Sequence, residues 1–167
     1  YGPLSRRLIA CAALSAADVM LAACTDEKAE PSYAPRDVTE HDRCLLCGMV
    51  VSHYEGPKAE IWMKEVEDAL VFCSARDAFT FALQPENGRR MKAMYVTDSA
   101  RDIAAIKGKL PFVDARGGFY VYGSDFDGVM GPEPVPFAAQ ADAEAFAAGR
   151  GGKVLRYGEI TLELLGH

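Results

Sequence analysis

The chain has 167 residues, of which 50% are hydrophobic and 25% are charged, so it can bury a core and is not a disordered polymer. Its 18 Lys and Arg residues stand against 24 Asp and Glu residues, which gives a net charge of -6. No basic excess is available to neutralise phosphates, and this argues against nucleic acid as a partner. We expect one domain or two small ones.

The first part of the chain has the pattern of an export signal. Arg6 and Arg7 precede a run of small and aliphatic residues at 8–24 that is too short and too interrupted to span a bilayer. The run ends in "LAAC" at 21–24, which resembles a bacterial lipobox. We therefore predict a signal peptide at 1–23 and lipid attachment at Cys24. The alternative is an Ala-rich helix that ends at a buried cysteine.

The stretch at 24–43 is polar, contains two prolines and has no apolar period, so we predict a flexible, lipid-anchored tether. Two acyl chains would hold such a protein firmly on a membrane. Export also favours disulfides, and Cys44, Cys47 and Cys73 are the cysteines left after Cys11 and Cys24 are accounted for. That odd number allows one disulfide at most.

The segment 44–98 predicts a β-β-α-β unit that opens with a C-x-x-C-G-M loop. The predicted elements are a strand at 59–64, a strand at 69–73, a helix that Ser74 caps and Pro85 ends, a turn at 85–88, and a strand at 91–97.

The segment 99–167 predicts a second β-β-α-β unit, with a Met-Gly loop at 130–131. Here the elements are a strand at 117–124, a strand around Phe137, a helix at 141–148 and a last strand from Lys153. Residues 99–111 join the two units.

One residue pattern recurs in both segments. The motif F-x4-D-A-x2-F occurs twice at a constant offset, as Phe72, Asp77, Ala78 and Phe81 and again as Phe137, Asp142, Ala143 and Phe146. Because the flanking elements follow the same order, we predict an α+β fold of two homologous small units packed together. Each unit alone would be small for a stable core.

The stretch "CLLCGMVVSH" at 44–53 allows three kinds of site. Cys44 and Cys47 could form a thiol-disulfide exchange pair, although the motif precedes the first strand instead of starting a helix. They could also be half of a structural zinc site that Cys73, His41 or His53 completes, although the chain has no second C-x-x-C or H-x3-H pair.

The third possibility is a Cu(I) site, and Met49 favours it. A thioether suits soft Cu(I) and contributes little to Zn2+. If the loop is extended at 47–49, the side chains of Cys47 and Met49 point the same way. A low coordination number would also leave a position open for the ligand of a receiving protein.

A further ligand could come from the second unit. Met130 lies in a loop between Gly128 and Gly131, although a lone methionine there is more often a gap-filler. His53 is a candidate imidazole ligand, and a solvent-facing role is about equally compatible with its position. Cys44 stays open as a ligand. Cys73 is more typical of a buried small hydrophobe, and Met63 and Met94 fit the core.

The chain resembles the NosL family of copper-binding lipoproteins, which are accessory proteins for the assembly of nitrous oxide reductase. The resemblance is carried by "LAAC", "CLLCGM" at 44–49, "FCSARDAFTF" at 72–81, "MYVTD" at 94–98, "MGPEPVPFA" at 130–138 and "DAEAFAAGRGGKVLRYGEI" at 142–160. It extends over essentially the whole chain from Cys24 onward.

This resemblance implies a carrier without catalytic turnover, tethered by its lipid in the periplasm. Its cargo would be Cu(I), bound by Cys47, Met49 and Met130. The implied acceptor is apo nitrous oxide reductase, and further partners would be copper-loading and membrane maturation proteins. The resemblance leaves Cys44 and His53 open as ligands.

Overall fold

A computed structural model of the chain describes residues 32–102 and 109–167. The predicted signal peptide and Cys24 lie outside these residues. Residues 32–167 form one compact unit. Among the described residues, no helix combines the length and the apolar character that crossing a membrane requires.

The first sheet is antiparallel and has four strands in the order β2-β1-β3-β4. The strands are β1 (Ala59–Met63), β2 (Leu70–Phe72), β3 (Met91–Thr97) and β4 (Phe112–Asp114). All five residues of β1 are buried, because it is a central strand with side chains packed on both faces.

Helix α1 (Ala75–Ala82) follows β2 directly and covers this sheet. The Ser74 hydroxyl caps it by accepting from the backbone N–H of Asp77, as the sequence predicts. Its buried apolar face follows helical spacing through Ala75, Ala78, Phe79 and Ala82.

The second sheet has three strands in the order β8-β5-β9. The strands are β5 (Phe119–Ser124), β8 (Val135–Phe137) and β9 (Gly151–Arg156), and α3 (Gln140–Arg150) connects the last two. Between β5 and β8 lies a short hairpin of β6 (Asp127–Gly128) and β7 (Gly131–Pro132). Met130 lies at the turn of that hairpin.

The predicted α+β fold of two β-β-α-β units is confirmed, because both sheets place the first strand of the unit between the second and the third. The repeated motif also makes the same contact twice. The rings of Phe72 and Phe81 have centroids 5.5 Å apart, and those of Phe137 and Phe146 are 5.2 Å apart. Each ring pair packs the unit's helix onto the end of its second strand.

The two units share one hydrophobic core. Phe79 on α1 is fully buried and meets Tyr120 of β5, with ring centroids 5.1 Å apart. It also meets Tyr157, which follows β9, at 5.3 Å. Leu155, Ile160 and Leu165 of the second unit belong to the same buried cluster as the first sheet. This packing joins the two units, as the sequence predicts.

Three local features differ from the sequence-based expectations. The predicted turn at 85–88 is part of helix α2 (Pro85–Arg90), where proline occupies the first turn and therefore needs no N–H partner. Strand β4 falls within the predicted second unit but pairs with β3 of the first. The sequence does not predict strands β6 and β7, since each has only two residues.

Residues 32–43, which the sequence assigns to the tether, pack against the first unit. Arg36 forms ion pairs with Asp42 and Asp68, at 2.8 and 2.7 Å. Tyr33 packs edge-on against Trp62, with ring centroids 6.1 Å apart. Polar and aromatic contacts hold this stretch in place without any apolar periodicity. Packed structure therefore begins ahead of Cys44.

Glu60 makes the fold sensitive to pH. It is fully buried on β1, its Oε2 accepts from the Arg36 N–H at 3.0 Å, and its Oε1 has no hydrogen-bond partner. Burial raises the pKa of Glu60 to about 7. The stability that this raised pKa contributes is therefore fully present at pH values below the pKa of Glu60 in the unfolded chain. It is lost as pH rises through about 7, the pKa of Glu60 in the folded protein.

We expect Glu60→Gln to remove this loss, because the amide carries no charge at any of these pH values. Between pH 4.5 and 8 the wild type should lose about 1–3 kcal/mol relative to the variant. Urea unfolding at both pH values measures the difference, with Glu67→Gln at an exposed site as the control. If wild type and Glu60→Gln differ in unfolding free energy by the same amount at both pH values, the raised pKa of Glu60 is contradicted.

Candidate metal centre

The C-x-x-C-G-M loop is a closed turn. Its ends are joined by an antiparallel bridge between Arg43 and Val50 and by the hydrogen bond from Cys44 N to Met49 O at 2.8 Å. Gly48 has φ +74°, a left-handed value that glycine adopts at little cost. The assumption that the chain is extended at 47–49 is therefore wrong. The turn nonetheless places the backbone of Cys44 beside that of Met49.

The loop is fastened to the end of β2. Leu45 N donates to Val71 O at 3.0 Å, and Cys73 follows β2 immediately. Cys44 and Cys73 are buried, whereas Cys47 is half-buried. This packing brings all three thiols of the described chain to one place, and all three are free cysteines.

The fourth member of the cluster is Asp77, from the first turn of α1. One ligand atom from each of Cys44, Cys47, Cys73 and Asp77 lies within 4.8 Å of the others. The closest contacts are Cys47 Sγ to Cys73 Sγ at 3.4 Å and Cys44 Sγ to Asp77 Oδ2 at 3.4 Å. Cys73 Sγ lies 3.8 Å from the same Oδ2. We call these four residues the thiol cluster.

The pKa values within the thiol cluster are shifted in different directions. Pairing with the Cys73 thiol, helped by backbone N–H groups, lowers the pKa of Cys44 well below its usual range. The same pairing, together with burial, raises the pKa of Cys73 far above its usual range. Burial and the negative charge at Cys44 raise the pKa of Asp77 to about 6. The cluster thus concentrates ionisable sulfur and oxygen atoms at one place, where a cation would stabilise their ionised forms.

Sequence reasoning missed Asp77 and undervalued Cys73. Cys73 is fully buried, as expected of a small hydrophobe, yet its sulfur contacts that of Cys47. Asp77 stands four residues after Cys73, so the strand-to-helix junction brings both side chains to the cluster. A C-x3-D spacing that starts at a helix cap is the signal that could have revealed the pair.

The Met130 hairpin is anchored next to the thiol cluster. Glu133, 2% exposed, accepts from the backbone N–H of Ala75 at 2.6 Å. Arg76 donates to Pro132 O at 3.0 Å. A Cβ on Gly128 would clash with the Glu133 carboxylate, so this position needs glycine. The second unit thereby fixes its loop to the first turn of α1, beside Cys73.

The remaining predicted ligands lie in different surroundings. Met49 is half-buried and packs against the main core, as does Val129 next to Met130. Met130 is 37% exposed. His53 is exposed, stands apart from the thiol cluster, and lines a groove of about 1020 Å³ with Lys58 and Phe126. The structure therefore does not bring His53 to the thiols.

The C-x-x-C-G-M turn and the Met130 hairpin lie within the region that the family model for NosL matches, residues 35–165. The chain belongs to the NosL family. Two copper-binding lipoproteins NosL are similar to it. The one from Stutzerimonas stutzeri is 34% identical over 83% of this chain and 72% of the relative, and the one from Achromobacter cycloclastes is 35% identical over 89% and 78%.

The fold also matches a solved NosL structure. The crystal structure of the copper chaperone NosL from Shewanella denitrificans superposes with a TM-score of 0.70 and 36% identity, over 80% of this chain and 99% of that one. These NosL relatives are named as a copper-binding lipoprotein or a copper chaperone, and none of the three names describes an enzyme. The prediction of a non-enzymatic protein agrees with these names.

Proposed function

We propose that this protein carries Cu(I) in the periplasm, on a lipid anchor at Cys24, and delivers it for assembly of the copper centres of nitrous oxide reductase. The observation that carries the proposal is the convergence of three free thiols of which Cys47 alone is partly open to solvent. The names of the NosL relatives support copper as the cargo. Support for the acceptor comes from the family resemblance.

The surroundings of Cys47 suit transfer between proteins. Cys47, Met49 and Met130 are the proposed sulfur ligands, and such soft donors fit Cu(I) at low coordination number. Leu45 and Leu46, exposed at 46% and 47%, stand directly before Cys47. Exposed apolar side chains beside a reachable thiol give a partner a contact surface and a site for ligand exchange.

Two roles that the sequence allows, thiol-disulfide exchange and a zinc site completed by a histidine, are less well supported. A thiol-disulfide exchanger would use Cys44 and Cys47 as its reacting pair and would not require Cys73. The sulfur in contact with Cys47 is nevertheless that of Cys73. Neither His41 nor His53 belongs to the group of metal-ligating atoms around the three thiols. His53 is therefore a weaker candidate Cu(I) ligand than Met130.

Delivery can be tested with purified components. The Cu(I)-loaded full chain is mixed without oxygen with apo nitrous oxide reductase, in the presence of a chelator that removes free Cu(I). We expect copper to reach the reductase faster than from the Cu(I)–chelator complex alone. Equal rates from the two sources would refute direct delivery.

Met130 tests whether both units contribute to one copper site. We expect Met130→Ala to lower Cu(I) affinity at least tenfold, about 1.4 kcal/mol, as measured by chelator competition. The apo-protein should lose less than about 0.5 kcal/mol of stability, because the side chain is exposed.

Met63→Ala is the matched control for Met130→Ala. Met63 is 3% exposed within β1, so its truncation should cost about 2–5 kcal/mol of unfolding free energy and leave Cu(I) affinity nearly unchanged. Equal Cu(I) affinities in the wild type and in Met130→Ala would remove Met130 from the site.

The lipid anchor is tested by Cys24→Ser. Without the thiol that accepts the lipid, we expect the protein to stay uncleaved or to leave the membrane fraction. Fractionation together with the N-terminal mass of the product measures both outcomes. An unchanged membrane fraction with an unchanged N-terminal mass would eliminate the anchor at Cys24.

A further inference from the structure

The groove that His53 lines is built by both units and has no role in the function proposed above. Its volume of about 1020 Å³ lies near the upper end of the range for small-molecule pockets, about 300–1,000 Å³. One wall is the segment 52–58 of the first unit, and the other comes from the second unit. The described residues that line it include no member of the thiol cluster and neither Met49 nor Met130.

The second unit gives the groove an apolar wall. The rings of Phe126 and Phe146 meet edge-on, with centroids 6.4 Å apart. The Arg150 guanidinium lies over both rings, 5.5 and 5.4 Å from their centroids, and an ion pair with Asp125 at 2.6 Å holds it there. Aromatic faces fixed in this way offer a contact surface to the apolar body of a ligand.

The charges of the groove favour an anion. Its fixed cations are Lys58, Arg101 and Arg150, whereas its carboxylates are Glu55 and Asp102. This local excess of positive charge stands in a chain whose net charge is -6. An anionic ligand would therefore find its best electrostatic match here, although most of the protein surface would repel it.

Lys58 has a donor to spare. The side chain is 4% exposed, and its ammonium donates to Glu55 O at 3.1 Å and to Gly56 O at 3.0 Å. The carboxylates of Glu133 and Glu55 attract the same ammonium, but neither accepts a hydrogen bond from it in the described structure. An ammonium has three N–H groups, so one is left for another acceptor.

Ser99 adds a hydroxyl without a partner. Its Oγ is buried and forms no hydrogen bond with residues 32–102 or 109–167, and Ser99 lines the groove. The backbone N–H of Ser99 donates to Pro136 O at 2.9 Å, which fixes the residue against the second unit. A buried hydroxyl without a partner costs free energy, and an anion in the groove would accept a hydrogen bond from it.

We propose that this groove is a binding site for an organic carboxylate with an apolar body, of which octanoate is a simple example. The carboxylate is held by Lys58, Arg101 and Ser99, and the apolar body packs on Phe126 and Phe146. Binding is non-covalent. The site does not rest on the proposed copper function.

The first test separates the charge of the ligand from its apolar body. The reduced, metal-free full chain is titrated by calorimetry with octanoate, acetate and 1-octanol. We expect one octanoate per chain, with an affinity at least tenfold higher than that of acetate, which lacks the tail, and of 1-octanol, which lacks the charge. Backbone amide chemical shifts should change in the segment 52–58 and at Phe126, and not in the thiol cluster.

Two substitutions test the residues that hold the carboxylate. Arg101→Gln should lower octanoate affinity at least fivefold. Arg89→Gln is the matched control, because Arg89 is an exposed cation on α2 outside the groove, and it should bind octanoate as wild type does. Ser99→Ala should lower octanoate affinity at least threefold without lowering the unfolding free energy of the free protein, since it removes a hydroxyl that has no partner.

Four results would overturn the site. They are the absence of saturable octanoate binding, equal affinities for octanoate and 1-octanol, equal effects of Arg101→Gln and Arg89→Gln, and octanoate-induced shifts that lie outside the groove. A Ser99→Ala variant that is less stable but binds octanoate with unchanged affinity would give Ser99 a structural role and remove it from the site.

Discussion

Replacing Cys47 with serine should lower Cu(I) affinity at least a hundredfold, about 2.7 kcal/mol, as measured by anaerobic chelator competition. A hydroxyl is a hard, neutral donor and cannot replace the thiolate that Cu(I) requires. Cys47 is the half-buried thiol of the cluster, next to the exposed Leu46 and two residues from Met49. It is therefore the sulfur through which the ion would enter and leave.

Cys44→Ser is the matched comparison, because it changes the other cysteine of the same turn. Cys44 is 2% exposed and contacts Asp77 instead of facing solvent. We expect its replacement to weaken Cu(I) binding less than tenfold. If the two substitutions reduce Cu(I) affinity equally, Cys44 and Cys47 act as a dithiol, and the assignment of a Cys-Met site is wrong.

Truncating Phe79 to alanine should cost about 3–5 kcal/mol of unfolding free energy. The ring is fully buried and meets Tyr120 at 5.1 Å and Tyr157 at 5.3 Å, so its removal leaves a cavity where the two units meet. A loss of this size is a large part of the total stability of a small protein.

Urea unfolding of Phe79→Ala measures this loss and also reports on cooperativity. We expect a single transition, because one buried cluster includes residues of both units. Tyr54→Ala is the control, since its side chain is 40% exposed and its loss should change stability by no more than about 0.5 kcal/mol. A loss below 1 kcal/mol, or two separate transitions, would contradict the shared core.

The local elements could be predicted from the sequence because their signals are local. Strand β1 and helix α1 follow from residue type, spacing and the Ser74 cap, and these features do not depend on distant parts of the chain. The F-x4-D-A-x2-F repeat also predicts the second unit, because Phe137 and Phe146 repeat the contact of Phe72 and Phe81.

The thiol cluster was harder to predict because it depends on packing between distant segments. Cys44 and Asp77 are far apart in sequence, and a hydrogen bond from Leu45 to Val71 is what brings the turn to the end of β2. Repetition could not reveal the role of Asp77, since its counterpart Asp142 is exposed. The ion pairs of Arg36 could not be predicted for a similar reason, because they leave no periodic pattern in the sequence.

Copper X-ray absorption of the Cu(I)-loaded full chain tests the central claim, that sulfur ligands from both units hold the ion. The account predicts a Cu(I) edge and a first shell of three sulfur atoms without imidazole scattering, and a loss of one sulfur in Met130→Ala. An imidazole shell that disappears in His53→Ala, or a sulfur shell that is unchanged in Met130→Ala, would contradict it.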